Sequence, residues 1–350
     1  MNNWKKIGLS ALAGSLVAFS ASAGELSVSG GAKLSFTNKG GNEAGSESVA
    51  GGATNEGVTG NGWGMQQAIT FSGSGELDNG MIASLSHTMQ DDGGTGSTST
   101  IALDMGSMGT ISYNQSSGSA AIGIEAFDDV MPTAEEEVGN GLGIDADHSE
   151  TSTAVSAYDY QVDHPGNGFS YTYSADMFTV VAGYSPDDHA NAVDDGATSG
   201  AGKGKSSQSI GVKVTPMDGL AIYAGTGEEG VGDNQNDMDT FALTYTMGPI
   251  SVGAQRTDID YEAANSGALS DAETTQFGIA FAVNENLSIS YGVQETELDG
   301  QDKDVEIEGF SIGYSMGGIS VKAHANKGEN MGGAAANEIE HTEVSLSLAF

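Results

Sequence analysis

The chain has 350 residues, of which 48 are acidic and only 11 are Lys or Arg, so its formal net charge is -37 at pH 7. An acidic chain with one arginine, Arg256, cannot neutralise nucleic-acid phosphates, and the lack of cysteine excludes disulfides and thiolate metal sites. Hydrophobic residues make up 38% of the chain and Gly occupies 53 positions, a composition that suggests disorder unless a regular pattern organises it.

The first 23 residues have the organisation of a secretory signal peptide. Lys5 and Lys6 form a positive start, residues 7–19 are apolar, and residues 21–23 read Ala-Ser-Ala, which suits a cleavage site. The apolar run is shorter than the roughly 20 residues that a membrane-spanning helix needs. We therefore expect residues 1–23 to be cleaved on export and residues 24–350 to form one domain. Export without cysteine is typical of the periplasm or outer membrane of a Gram-negative bacterium.

The rest of the chain alternates apolar and polar residues with a period of two. At the carboxy terminus, Val344, Leu346, Leu348 and Phe350 fall on one face and small or polar residues on the other, a separation that only a β-strand produces. Counting such segments gives about sixteen strands, with about fourteen or eighteen left open. They cover residues 24–36, 65–78, 80–91, 98–105, 109–114, 168–174, 178–184, 207–216, 219–227, 238–247, 250–261, 273–283, 286–297, 305–316, 319–327 and 341–350.

The breaks between these strands alternate between short turns and long acidic stretches rich in Gly, Ser and Asn. The long stretches cover residues 38–62, 115–166, 186–207, 228–236, 263–271 and 301–304. This asymmetry is typical of outer-membrane barrels, which have short periplasmic turns and long external loops. An even strand count also lets the first strand pair with the last, so no edge is left open in hydrocarbon. We predict an all-β, transmembrane antiparallel β-barrel.

Three features resemble the trimeric general porins of Gram-negative outer membranes: the opening strand at residues 24–30, the ending at residues 343–350, and the very long loop after the fifth strand. The resemblance covers the whole mature chain. It implies a homotrimer of water-filled barrels in the lipid bilayer, with the long loop folded inward and its acids facing basic wall residues. It also implies an assembly signal, read by the barrel-assembly machinery, formed by Val344, Leu346, Leu348 and Phe350.

The long loop, residues 115–166, contains eleven acidic residues and no Lys or Arg. We expect its first half to line the constriction, with the acids Glu125, Asp128, Asp129, Glu135, Glu136 and Glu137. Strand parity predicts that the wall side of the lumen carries Lys33, Lys213, Lys322 and His324. Several carboxylates near a passing ion would enrich cations. The sequence thus predicts a weakly selective, cation-preferring pore for small hydrophilic solutes.

Arg256 shares a face with Ile250, Val252 and Ala254, so it should face lipid or a neighbouring subunit unless a bulge shifts the register. An outer-membrane enzyme is an open alternative, but no Ser/His/Asn or Asp/His constellation is visible in the sequence. A soluble exported β-protein is another, although it would need larger residues on its inner faces.

We expect no metal and no organic cofactor, because the six histidines show no metal-ligand spacing. The Gly-rich segments 225–230 and 309–313 match short nucleotide-binding and nucleophile motifs, but no helix follows either of them. Acidic groups at residues 145–147 and 233–237 could hold Ca²⁺ through oxygen ligands.

Overall fold

The computed structural model describes residues 26–42, 60–91, 95–116, 123–127, 129–135, 138–140, 142, 167–185, 206–231, 234–262, 271–333, 335 and 338–350. The predicted signal peptide, residues 1–23, lies outside these ranges. Within them the chain is almost entirely strand, with short 3-10 helices at Gly106–Met108, Gly123–Phe127 and Met331–Gly333. No helix in the described ranges is long and apolar enough to cross a bilayer.

Sixteen strands make up the sheet in the described part of the chain. They are β1 (Ser27–Asn42), β2 (Gly60–Glu76), β3 (Ile82–Asp91), β4 (Thr95–Asp104), β5 (Thr110–Ser116), β6 (Asn167–Ala175), β7 (Phe178–Ser185), β8 (Ser207–Met217), β9 (Leu220–Val231), β10 (Asn234–Met247), β11 (Ile250–Asp260), β12 (Ala272–Ala282), β13 (Leu287–Leu298), β14 (Val305–Met316), β15 (Ile319–Glu329) and β16 (Glu338–Ala349).

The sheet is a closed antiparallel barrel in which each strand pairs with its chain neighbours and β1 pairs with β16. At the seam Leu34 lies opposite Leu346, and Phe350 and Gly30 exchange two backbone hydrogen bonds of 2.9 Å. Closure leaves no strand edge with unpaired backbone groups, which hydrocarbon cannot accommodate. The predicted barrel, its sixteen strands and the pairing of the first strand with the last are confirmed.

The two faces of the wall differ in polarity along each strand. On β16 the outward Leu346 is 38% exposed, whereas the inward Ser345 is 2% exposed. β14 repeats the pattern with Phe310, Ile312 and Tyr314 exposed on the outer face. Exposed large side chains on the outside and small polar ones on the inside suit a wall between lipid and water.

The two ends of the barrel differ as well. At one end, which we call the turn end, tight turns contain glycines with positive φ, such as Gly219 (79°), Gly248 (60°) and Gly317 (63°). Glycine is needed there because other residues rarely adopt this conformation. At the opposite end, which we call the loop end, lie the strand ends that flank the longer connections, such as Ser185 of β7 and Ser207 of β8.

The prediction of a long loop at residues 228–236 is wrong. Residues 228–236 are mostly strand, since β9 runs to Val231 and β10 begins at Asn234, with Glu228 opposite Asp237. The carboxylate of Glu228 accepts hydrogen bonds of 2.8 Å from the side-chain amides of Gln208 and Gln235. Acidic composition predicts a loop exposed to water, but here the acidic residues belong to a strand ladder that continues to Val231 and Asn234.

The buried hydrophobic side chains lie inside the barrel rather than between layers. They form three clusters on the inner wall of β7–β16, under the segment that connects β5 to β6. The first contains Val305 and Met331, the second Phe127 and Tyr223, and the third Ile124. These clusters are the barrel's only substantial apolar core within the described residues.

Replacing Ile279 by Arg is expected to lower the free energy of unfolding by about 2–4 kcal/mol, the cost of an arginine on the lipid face near the bilayer midplane. Ile279 is exposed on the outer face between Phe277 and Phe281. The adjacent Ala280 points inward, so Ala280→Arg should change stability little. Urea unfolding in lipid vesicles measures both, and equal costs would contradict the assigned faces.

Candidate functional site

The described part of the segment that joins β5 to β6, which covers residues 123–127, 129–135, 138–140 and 142, lies inside the barrel, and we call it the inward loop. Ile124 packs against inward side chains near the loop end of β10 and β11. Ala134 reaches Gly313, close to the turn end of β14, and Leu142 packs again at the loop end. The inward loop therefore descends along the inner wall of β7–β16 and rises again, as the sequence predicts for the loop of the constriction.

Wall side chains hold the first half of this descent by its backbone. The amide of Ile124 donates to Ser209 Oγ at 3.0 Å. Gln255 makes two such bonds, because its amide nitrogen donates to the carbonyl of Phe127 at 2.7 Å and its oxygen accepts from the amide of Val130 at 3.1 Å. Each such hydrogen bond contributes about 1 kcal/mol to stability and pairs a backbone group of the loop that would otherwise lack a partner.

The second half is held in the same way from β13 and β15. Ser290 Oγ accepts from the amide of Ala134 at 2.8 Å and lies 3.4 Å from Thr133 Oγ1. The side-chain amide of Asn326 donates to the carbonyl of Asn140 at 2.9 Å. A segment with little secondary structure of its own is thus held in place by side chains of the sheet.

The wall presents glycine where the inward loop passes closest. An added Cβ at any of these positions would lie within 3.0 Å of a loop atom, a distance that real Cβ atoms essentially never show. The close approaches pair Gly211 with Phe127, Gly225 with Ile124, Gly253 with Pro132, Gly292 with Val138, and Gly313 with Ala134. Together these glycines form a groove across the inner wall, which we call the glycine groove.

Glu135 is only 9% exposed and its carboxylate binds His324 Nδ1 rather than facing open water. The other ring nitrogen of His324 lies 2.8 Å from His341 Nδ1. All three side chains are buried between the inward loop and the wall. A buried carboxylate needs such a partner, because an unpaired charge in a low-dielectric interior is costly.

Two of the six predicted constriction acids have described side chains, Glu135 and Asp129. Asp129 is half-buried, and its Oδ1 accepts the backbone N–H of Met131 at 2.7 Å. The backbone of Glu125 belongs to the 3-10 helix Gly123–Phe127. The remaining three lie outside the described residues: Asp128, Glu136 and Glu137.

Three of the four predicted wall residues lie on β1 and β15, the two strands that flank β16. Lys33 on β1 forms a 2.8 Å ion pair with Glu343 of β16, and Lys322 and His324 lie on the inner face of β15. Lys213 lies apart on β8, with its Nζ 5.2 Å from the centroid of the Tyr223 ring. The basic side of the lumen is therefore concentrated near the seam of the barrel.

Arg256 lies on the outer face, opposite Phe241 of β10. It forms ion pairs with Asp258 at 3.1 Å and Glu273 at 2.5 Å, both of which also point outward. The strand is regular here, so no bulge turns the guanidinium into the lumen. The only arginine of the chain takes no part in the inner surface.

The outer face also carries a Ser–His pair that the sequence does not reveal, with His87 Nδ1 2.7 Å from Ser99 Oγ. A serine hydrolase needs a third group that orients the imidazole and donors for an oxyanion. Among the described residues His87 has no carboxylate or amide partner of this kind. The pair satisfies two polar groups on an apolar surface.

Most of the predicted calcium-binding groups lie outside the described residues, including Asp145, Asp147 and Asp233. Residues 234–237 belong to β10, where Asn236 points inward and Asp237 outward, so their oxygens do not converge. Three exposed carboxylates elsewhere have oxygens within 4.8 Å of one another, those of Glu295, Glu297 and Asp304. Exposed acidic groups are common without an ion, so no metal site is assigned.

Sequence reasoning missed Lys39, His341, Gln255 and the glycine groove. Lys39 lies opposite His341 at the seam, and both point inward. Parity on β16 could have placed His341 on the same face as Glu343, since the two are two positions apart in the sequence. No sequence feature predicts that Gln255 binds the loop, because an inward polar residue fits the strand pattern equally well whether it contacts water or a loop.

Gly253→Val is expected to push the inward loop toward the lumen, because an added Cβ would lie 2.7 Å from Pro132 Cδ. Single-channel conductance in planar bilayers should fall. Gly75→Val is the matched control, since its added Cβ has nothing within 4 Å. Equal conductance of Gly253→Val and the wild type would contradict the groove's role.

Comparison with solved structures supports the fold. The porin of Rhodopseudomonas blastica, in a mutant form, superposes with a TM-score of 0.61 at 18% identity, covering 93% of this chain and 100% of that chain. OmpT of Vibrio cholerae, folded in vitro and in its trimer form, gives a TM-score of 0.64 at 15% identity, covering 94% of this chain and 100% of that chain.

A comparison with curated protein sequences finds no match. The family described as Gram-negative porin, in contrast, matches residues 8–346. That match spans nearly the whole sequence and agrees with the closed barrel and its inward loop, and the chain therefore belongs to the Gram-negative porin family.

Proposed function

We propose that the chain forms a water-filled channel in the outer membrane through which small hydrophilic solutes and ions diffuse passively. The observation that carries this proposal is a closed wall, apolar outside and polar inside, with one loop folded into its interior. The family and the fold both support an outer-membrane channel rather than an enzyme. Residues 1–23 would direct export before the barrel assembles.

We further propose that the channel prefers cations. The connection between β5 and β6, residues 117–166, carries eleven acidic residues and no Lys or Arg, and the whole chain has a net charge of -37. On the wall, the charge of Lys33 is balanced by Glu343 at 2.8 Å. One carboxylate about 7 Å from an ion in water contributes roughly 0.6 kcal/mol, so a few of them bias the ion population after screening.

Reversal potentials in a salt gradient across planar bilayers test this selectivity. We expect the sign of a cation-selective channel for the wild type, and a shift toward zero for the double variant Glu125→Gln/Asp129→Asn. Asn at position 129 keeps the oxygen that accepts the Met131 amide, so the charge changes while the turn is retained. The shift should correspond to about a twofold drop in cation preference.

Glu297→Gln is the control for that experiment, because this acid is exposed on the outer face. Lys322→Gln should move the reversal potential in the opposite direction, since it removes a positive charge from the inner face. An anion-selective sign for the wild type would contradict the proposal.

We also propose that the barrels assemble as trimers, as OmpT of Vibrio cholerae does in its trimer form. The proposed assembly signal lies on one face of the last strand: Val344, Leu346 and Leu348 are exposed on the outer face, and Phe350 is exposed at its end. This surface is available to an assembly machine before the seam with β1 closes.

Phe350→Ser is expected to lower the yield of folded, heat-modifiable trimer in the outer membrane, because the aromatic end of the signal is lost. Val321→Ser removes an exposed outward residue from the adjacent β15 and should leave the yield close to that of the wild type. The amount of trimer on unheated gels measures both. An unchanged yield for Phe350→Ser would contradict the assembly role.

A further inference from the structure

Five neighbouring strands, β2–β6, line the inside of the barrel with hydroxyl groups. Gln66 of β2 pairs with the inward Lys33, so Thr70, four residues further along β2, also points inward. The register carries this inner face across to serines and threonines of β3–β6. We call five of these inward side chains the hydroxyl wall: Thr70, Thr88, Thr100, Ser112 and Ser170.

Hydrogen bonds between adjacent strands hold hydroxyls of this wall in pairs. Thr70 Oγ1 lies 2.8 Å from Thr88 Oγ1, and Ser112 Oγ lies 2.8 Å from Ser170 Oγ. A hydroxyl has one hydrogen to donate and two lone pairs that accept. One bond within a pair uses one hydrogen and one lone pair, so each pair can still donate to a solute and accept from it.

The hydroxyl wall carries no charge. Of the described inward side chains of β2–β6, the charged ones come at the turn end, at Glu76 and Asp104. The inward lysines Lys33, Lys213 and Lys322 belong to β1, β8 and β15. Removing water from a hydroxyl costs less free energy than removing it from a charged group. A neutral solute can therefore replace water along β2–β6 at little cost.

This wall faces the inward loop across the lumen. On β12, a Cβ added at Gly278 would lie 3.3 Å from Pro132 Cδ of the loop. β4 and β12 are eight strands apart in the ring of sixteen, so they lie on opposite sides of the barrel. The hydrogen bonds that hold the loop come from side chains of β8, β11, β13 and β15. A solute that enters the lumen thus passes between the loop and the hydroxyl wall.

A chemically identical pair elsewhere on the inner face differs in exposure. Thr274 of β12 and Thr296 of β13 have hydroxyls 3.0 Å apart, but these residues are only 3% and 0% exposed. Thr70 and Thr88 are half-buried. Of these two pairs, the one on β2 and β3 is therefore the one that a solute can reach.

We propose that neutral polyhydroxy solutes, such as pentoses and sugar alcohols, pass through the channel along the hydroxyl wall. This inference rests on the proposed channel function and names a class of solute that the channel favours. Solute hydroxyls exchange hydrogen bonds with water for hydrogen bonds with the wall, and the net gain per bond is small, so the solute is not trapped. Partners on adjacent strands lie about 5 Å apart, so a solute that leaves one pair reaches the next.

Swelling of proteoliposomes tests this proposal with two neutral solutes of nearly equal mass. Xylose carries a hydroxyl on nearly every carbon, whereas triethylene glycol is an ether with hydroxyls only at its ends. In Thr70→Val/Thr88→Val, we expect the ratio of the xylose rate to the triethylene glycol rate to fall about twofold, because a solute hydroxyl loses a partner. Valine has nearly the shape of threonine, and replacing both residues leaves neither hydroxyl unpaired.

Thr274→Val/Thr296→Val is the matched control, because it removes the same kind of pair from a buried position. Its ratio should equal that of the wild type. Ser112→Ala/Ser170→Ala removes a second pair of the hydroxyl wall and should also lower the ratio, so the test does not depend on the folding of one variant. Heat-modifiable mobility on gels identifies folded protein.

The outcomes separate the hydroxyl wall from the channel. A wild-type ratio in both folded hydroxyl-wall variants overturns the proposal, as does an equal fall of the ratio in the buried control. Absence of swelling with either solute, from folded wild-type protein, would instead contradict the channel function itself.

Discussion

The constraint on which this structure depends is that a wall in hydrocarbon must pair all its backbone polar groups. β1 and β16 satisfy it by joining at Leu34 and Leu346, and the bond between Gly30 and Phe350 completes the seam. Because side chains alternate along every strand, the same closure separates an apolar outer face from a polar inner face. The channel follows from that separation.

The inner face then has to support whatever enters the barrel. The inward loop has little secondary structure, so its backbone groups bond to wall side chains such as Ser209, Gln255 and Ser290. Glycines beneath it bring the loop close enough for these bonds to form. The unusual glycine content of the chain therefore serves the inner wall as well as the turns.

Period-two alternation predicted the strands because lipid and water impose opposite demands on adjacent residues. The prediction failed at residues 228–236, where Glu228 accepts hydrogen bonds from Gln208 and Gln235 and the strand ladder continues. Parity placed Lys322 on the inner face, but it could not reveal that Glu135 is buried against His324. Contacts between a loop and a distant strand depend on the loop's path, which alternation does not encode.

The separation of the two faces is tested most directly with single nitroxide labels in a chain that has no cysteine of its own. Labels at Leu346 and Ser347 occupy adjacent positions on β16. In bilayers we predict that the label at Leu346 is relaxed by oxygen dissolved in lipid and the label at Ser347 by a water-soluble nickel complex. The same environment at both positions would contradict the barrel wall and the channel within it.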